Sequence, residues 1–197
     1  MNYGEIKHNI ISFGFAEQSD YDEYEELGYT YDAINQAIME LNEKFPYIGI
    51  YEFEIDESDE GPYEIDMGDR NGFLELAKDT PVVIEANGKD VFKPFGAYEI
   101  KMDRILHINA DENKGTFRVY YNKACTTITS ETEDTFVPEL PLKAHRLIPY
   151  LASYLLWQDD DPAKAAQYYN SYEIGKTEIE QQENAPRMRV NTDWRGI

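Results

Sequence analysis

Residues 153–172, SYLLWQDDDPAKAAQYYNSY, decide the fold because they have the pattern of a helical hairpin. An apolar run ending at Trp157 closes one helix, and a run of three aspartates then separates it from the next. Asp161 directly before Pro162 combines a favourable N-cap with a favourable first helical residue. We therefore predict two helices joined by a short acidic turn.

The hairpin extends outward from this turn in both directions. We predict its first helix over about 142–158, where Pro149 either kinks the helix or marks its true start. The second helix is predicted from 162 to about 182. Its inward-facing residues, chosen by helical spacing, are predicted to be Ala163, Ala166, Tyr169, Tyr172 and Ile179.

The residues after the hairpin, 184–197 (NAPRMRVNTDWRGI), have no helical period. They are net positive although the rest of the chain is strongly negative. An aromatic residue beside arginines on a terminal segment is typical of an interface hot spot, whereas the alternative is an inert, disordered tail. We predict a basic, extended, partner-binding arm whose contact residues are Arg187, Arg189, Trp194 and Arg195.

Before the hairpin, one amphipathic helix is predicted over 31–45 (YDAINQAIMELNEKF), with Thr30 as its N-cap and Pro46 as its stop. Residues 1–15 alternate weakly, so we predict an extended arm or an edge strand there. The acidic residues 16–29 are predicted to form a loop.

The middle of the chain has strand periodicity. Residues 48–55 (IGIYEFEI) are predicted to form a strand, 56–61 a loop and 63–67 a short strand. Within the β region 80–122, turn signals occur at Asn87-Gly88, Asp103-Arg104 and 111–115.

The predicted fold class is therefore α+β. It combines a small antiparallel β-sandwich or barrel, spanning the β region 48–122, with an N-terminal amphipathic helix and a C-terminal helical hairpin. We expect one domain over 1–183, followed by the arm at 184–197.

Charge restricts the function. The chain has 18 lysines and arginines against 39 aspartates and glutamates, which gives a net charge of −21. Residues 16–69 hold 18 of the acidic residues and one basic residue, Lys44. Proteins that grip phosphates need clustered lysine and arginine, so a nucleic-acid-binding protein is disfavoured. A protein past which DNA slides without binding remains compatible.

No pattern of catalytic residues is visible. His8, His107 and His145 fall on different predicted elements, and no second histidine stands at ligand spacing. His107 is interpreted as a strand residue and His145 as a surface or interface residue. The single cysteine, Cys125, lacks a nucleophile motif and excludes an intrachain disulfide, which fits synthesis in a cytosol. We predict no enzyme activity, no cofactor and no metal site.

Several segments follow one another in a recognisable order: a helix, a Gly-initiated strand, a threonine-rich crossing, a Leu-Pro entry and the hairpin. The residues concerned are Gly115 to Tyr121, Thr126 to Thr129, Leu140, Pro141, Ala152, Leu155, Asp160, Asp161, Pro162, Ala166, Tyr169 and Tyr172. This order resembles the head-to-tail connector (adaptor or neck) proteins of tailed bacteriophages. The similarity covers roughly residues 30–180, without the acidic insertion around 51–70.

The resemblance implies a structural virion protein at the head–tail junction, made in the bacterial host cytoplasm and without membrane contact. It implies a homo-oligomeric ring of about twelve copies that lines the DNA exit channel without binding DNA specifically. The partners implied are the portal protein and the adjacent neck or tail proteins. Hairpin side chains predicted to contact the neighbouring subunit are Trp157, Tyr168, Tyr169 and Tyr172.

Other functions stay open at this point. The chain could be a tail-completion or baseplate protein built on a similar sandwich. Its acidic segment 16–69 could instead mimic DNA and inhibit a DNA-binding enzyme. Turn acids such as those at 111–115 also fit a calcium-dependent carbohydrate-binding module.

Overall fold

The computed structural model describes residues 1–15, 18–86 and 88–184. Helices lie at both ends of the described chain and strands lie between them, so the α+β class is confirmed. The helices are α1 Tyr3–Gly14, α2 Gln18–Glu26, α3 Tyr29–Lys44, α4 Ile148–Trp157 and α5 Pro162–Asn184. The strands are β1 Ile48–Ile55, β2 Pro62–Asp66, β3 Phe73–Leu76, β4 Val82–Ala86, β5 Lys89–Pro94, β6 Tyr98–Lys101, β7 Ile105–Asn109 and β8 Gly115–Lys123.

The N-terminal segment is a helix, so the prediction of an extended arm or edge strand over 1–15 was wrong. Asn2 caps α1 by accepting a hydrogen bond from the Glu5 N–H at 2.9 Å, and the Glu5 carboxylate accepts from the Asn2 N–H at 2.9 Å. This reciprocal pair satisfies two donors that a helix start leaves free. The buried face of α1 consists of Tyr3, Ile6 and Ile10.

Two further predictions near the N-terminus need correction. The acidic residues predicted as a loop over 16–29 contain helix α2, which is held by the fully buried Tyr21. Helix α3 confirms the prediction over 31–45, but its N-cap is Gly28 at φ 80°, not Thr30. Thr30 lies inside the first turn and is buried. Only glycine adopts such a positive φ at little cost, so it replaces a side-chain cap here.

The helices share one hydrophobic core. Buried residues of α1, α3 and α4 meet in it, and α5 adds Tyr172 and Ile179. Pro149 lies in the first turn of α4, behind a short 3₁₀ turn at His145–Leu147. The proline therefore marks the true start of the helix, as a missing N–H is harmless there.

The strands form two antiparallel sheets that enclose a second core. Strand β8 pairs with β1 along one edge and with β4 and β3 along the other, while β5 extends the sheet from β4. The second sheet has the order β2-β7-β6. Their inward faces meet in a cluster that includes Phe53, Phe117, Val119, Leu106 and Ile108. This sandwich confirms the predicted architecture of the β region.

The predicted turns occupy their expected places. Ala86 pairs with Lys89 across the β4–β5 connection, where Gly88 has φ 62° and Asn87 lies outside the described residues. At the next turn, Met102 and Asp103 both have positive φ, and β6 pairs with β7.

Two asparagines of α3 join the helical core to the sandwich. Asn42 donates to the Lys123 carbonyl at 2.9 Å and accepts from the Tyr47 N–H at 2.7 Å. Two turns earlier, Asn35 exchanges two hydrogen bonds of 2.8 Å with the backbone of Ile128. These side chains satisfy backbone groups where the chain enters and leaves the sandwich, which fixes the junction.

Candidate assembly surfaces

The turn of the hairpin is built as its sequence predicts. The Asp161 carboxylate accepts from the Lys164 N–H at 3.1 Å, which caps α5, and Pro162 follows in the first turn. Farther along, α5 approaches its neighbour very closely. A Cβ built on Gly175 would lie 2.7 Å from the Leu147 side chain, so only glycine fits without displacement.

Trp157 makes its contacts within the chain. A Cβ on Gly14 would lie 2.5 Å from its indole nitrogen, and its ring lies 5.2 Å from Phe15. The Lys164 ammonium sits 3.4 Å from the ring centroid and donates to the Gly14 carbonyl. Burial lowers the pKa of Lys164. The tryptophan thus anchors the tip of the hairpin to the end of α1.

The three hairpin tyrosines divide between the interior and the surface. Tyr172 is buried in the helical core, and burial raises its pKa. Tyr168 donates to the Phe13 carbonyl and stacks on the Phe13 ring at 6.1 Å. Tyr169 is 41% exposed and touches Tyr154 and Tyr172. Of the four predicted interface residues, Tyr169 offers the most surface to a partner, and the interface itself stays a prediction.

The helical phase predicted for α5 was wrong at three positions. Ala163, Ala166 and Tyr169 are exposed, while Tyr172 and Ile179 are buried as expected. Buried Ala165 and the close approach of Gly175 show where the inward side runs. Alanine occurs on both buried and exposed helix faces. The alanine positions in the sequence therefore could not show which face of α5 is buried.

The correct rotation reveals an outward stripe along α5 without charge. At 1.5 Å per residue the helix is roughly 35 Å long, and the stripe runs for most of it. Ile174, 63% exposed, lies at its centre. The outward stripe comprises Ala163, Ala166, Gln167, Asn170, Ile174, Thr177 and Gln181, all exposed.

Two of the glutamates beside the outward stripe are already paired within the chain. Glu178 bonds to Arg146 at 3.0 Å, and Glu173 bonds to Lys176 at 2.5 Å. A chain with a net charge of −21 therefore carries a long uncharged helix surface. Part of the negative charge beside this surface is neutralised by ion pairs within the chain. A second copy can approach such a surface without the repulsion met elsewhere.

The predicted arm residues Arg187, Arg189, Trp194 and Arg195 lie outside the described residues. Their predicted role as partner contacts therefore stays a prediction. The described chain ends with α5, so the arm begins at the end of the helix that carries the outward stripe.

The three histidines lie in different parts of the fold. His145 was expected to be a surface or interface residue but is buried within the chain, and its Nε2 lies 2.9 Å from the Leu140 carbonyl. His107 lies in β7 as predicted, 2.9 Å from Glu64 of β2. His8 is exposed on α1. Among the described residues, no group of three histidine, cysteine, aspartate or glutamate side chains could hold a metal ion.

Cys125 borders a groove of about 760 Å³ between α3 and β3. Met39 and Leu74 line the same groove, and both are more than half exposed. Burial and the neighbouring Glu139 raise the pKa of Cys125 to about 11. The thiol is consequently protonated at neutral pH, which makes it a poor nucleophile.

No family model matches the chain, and no curated protein is significantly similar to it. Within the described residues, every helix is too short or too polar to cross a membrane.

Proposed function

We propose that the chain is a subunit of the ring that connects the head of a tailed bacteriophage to its tail. The observation that carries the proposal is the outward stripe of α5, a neutral helix face on a strongly acidic subunit. A helix surface exposed only to water has no need to exclude charge. A surface that receives another copy of a −21 chain has that need.

The hairpin is suited to rigid docking. Trp157 and Lys164 fix its tip to α1, and Gly175 lets α5 lie close against the start of α4. The outward stripe is thus presented by a helix that cannot easily rotate. In a closed ring, the stripe contacts a different surface of the next subunit, and the interface repeats around the axis.

The proposed location is the head–tail junction of the virion. The resemblance of the segment order to connector proteins supports this choice over a tail-completion or baseplate protein. The partners are then other copies in the ring, the portal protein and the neighbouring neck or tail proteins, and the arm residues Arg187, Arg189, Trp194 and Arg195 reach the next subunit or the portal. The negative charge suits a channel through which DNA passes without being held.

The test is the oligomeric state of the purified full-length protein by native mass spectrometry, with and without Ile174→Glu. We expect a ring for the unmodified chain and monomers for the variant, because one carboxylate per interface is buried without a partner. Ile100→Glu is the matched control, since Ile100 is 42% exposed on the β2-β7-β6 sheet. This control should assemble normally.

The outcomes separate the candidate functions. A ring with about twelve copies supports the connector. A six- or three-membered ring supports a tail or baseplate component instead. An unmodified chain that stays monomeric, or a variant with Ile174→Glu that still forms rings, contradicts the docking role of α5.

A further inference from the structure

The sheet that contains β8 ends in β1 on one side and in β5 on the other, and the four-residue β3 also pairs with β8 on the β4 side. The edges at β1 and β5 differ in how well they resist pairing with another strand. Natural proteins protect edge strands with lysine, proline, bulges or short length, because unpaired backbone groups recruit other chains. Strand β5 has Lys89, Lys93 and Pro94, and its register with β4 shifts at Glu85/Ala86. This edge is well protected.

Strand β1 at the opposite edge has none of these devices. It is eight residues long, and its register with β8 is regular from Ile48↔Asn122 to Ile55↔Gly115. Its sequence, IGIYEFEI, contains no lysine, arginine or proline. The edges of the other sheet are shorter, because β2 has five residues and β6 has four.

The hydrogen-bond pattern shows which groups of β1 are free to pair. Lys123 donates its N–H to the Tyr47 carbonyl at 2.8 Å, so odd-numbered residues of β1 face β8 in an antiparallel ladder. The backbone groups of Ile48, Ile50, Glu52 and Glu54 therefore point away from β8. Within the described residues these groups have no backbone partner.

The side chains around this edge define what could pair with it. Glu52 and Glu54 are exposed on one face of β1, where Glu52 already pairs with Arg118 of β8 at 2.6 Å, and an acidic turn follows at 56–60. On the opposite face, Tyr51 is half-buried and Phe53 belongs to the sandwich core. A strand that alternates basic and apolar residues would complement both faces at once.

The chain itself contains such an alternating sequence in the arm. Residues 187–190 read RMRV, in which Arg187 and Arg189 alternate with Met188 and Val190. The 13 residues after α5 can reach roughly 40 Å when extended. In the proposed ring, a neighbouring copy lies against α5. Because the arm follows α5 in sequence, it begins close to that neighbour.

We infer that residues 187–190 of one copy add to β1 of the neighbouring copy as an extra strand. This inference rests on the proposed ring. One arginine then lies beside Glu54 and the other beside Glu52, whose carboxylate it shares with Arg118. The apolar residues extend the edge of the sandwich core. Strand addition supplies main-chain hydrogen bonds for affinity, and the charge pattern supplies register.

The test is cross-linking between full-length copies that carry single cysteines. Cys125→Ser serves as the background, one variant adds Ile50→Cys, and the other adds Asn191→Cys. These positions leave Glu52, Glu54 and the arginines intact. The matched control replaces Ile50→Cys with Val91→Cys on β5, because Ile50 is 57% exposed and Val91 is 56% exposed.

Equal amounts of the two variants are mixed, assembled and treated with a short bifunctional maleimide. We expect about tenfold more cross-linked dimer from the Ile50→Cys mixture than from the Val91→Cys control. Equal yields from both mixtures would overturn the inference. So would a link found only within single chains when Ile50→Cys and Asn191→Cys are combined.

Assembly is measured in the same samples by native mass spectrometry, which keeps the two proposals apart. Rings without the Ile50–Asn191 link would overturn strand addition and leave the connector proposal standing. An unmodified chain that forms no ring would overturn both.

Discussion

The inward and outward sides of α5 belong to one helix but carry different kinds of residue. The inward side has Tyr172 and Ile179 buried and Gly175 pressed against Leu147. The outward stripe has exposed, uncharged residues around Ile174. The inward side is specified by the shape of this chain's own core, whereas the outward side needs only to lack charge. Substitutions should therefore separate folding from assembly.

The largest expected effect on folding is Tyr172→Ala. It removes a buried aromatic ring, and such truncations cost about 3–5 kcal/mol of unfolding free energy. Ile174→Ala on the outward stripe should change that free energy by less than about 0.5 kcal/mol. Urea unfolding followed by circular dichroism compares the two variants. Equal losses would contradict the proposed division of α5.

A smaller effect is expected from Gly175→Val, which places a side chain where Leu147 already lies. Overpacking of this kind costs about 1–3 kcal/mol. Leu147→Ala in the same chain should relieve part of that cost, so the double variant should be more stable than the sum of the single losses predicts. Strict additivity in denaturant titrations would show that the two residues do not press on each other.

The smallest effect is a pH dependence of the inward side. Burial raises the pKa of Tyr172, so the folded state keeps its proton where the unfolded state loses it. Its contribution to stability is present below pH ~10 and is lost as the pH rises further, at about 1.4 kcal/mol per pH unit. Tyr172→Phe should make the decline between pH 10 and 11 shallower. An unchanged slope in denaturant titrations would assign the decline to other groups, such as the buried Tyr3 and Tyr21, whose pKa values are also raised by burial.

Strong local signals made part of this fold predictable. The strand at 48–55 matches β1 at both ends, and the Asp161-Pro162 pair marked the start of α5. Helix α1 is hard to predict although Asn2 and Glu5 hold capping-box positions, because the weak alternation of residues 1–15 also fits a strand. Helix α2 is hard to recognise in the sequence because acidic residues surround its buried anchor, Tyr21.

The candidate surfaces were harder to predict than the fold. The rotation of α5 depends on how closely it approaches Leu147, which is a tertiary contact that helical spacing does not contain. The unprotected edge at β1 could be recognised only after the pairing of β8 was known, because IGIYEFEI fits a central strand as well as an edge. The roles of Asn35 and Asn42 likewise depend on backbone groups that are distant in sequence.

Cys125 lies two residues after the end of β8, where the sandwich meets the helical core, and it is the single cysteine of the chain. Because its thiol is half-buried and protonated at neutral pH, a thiol reagent modifies it slowly in the folded subunit and faster when that region opens. A rise in the labelling rate of the natural protein therefore reports local separation of the two halves of the molecule. Followed during assembly, this rate would show whether the subunit enters a ring as a rigid body or first loosens at the junction between the sandwich and the helical core.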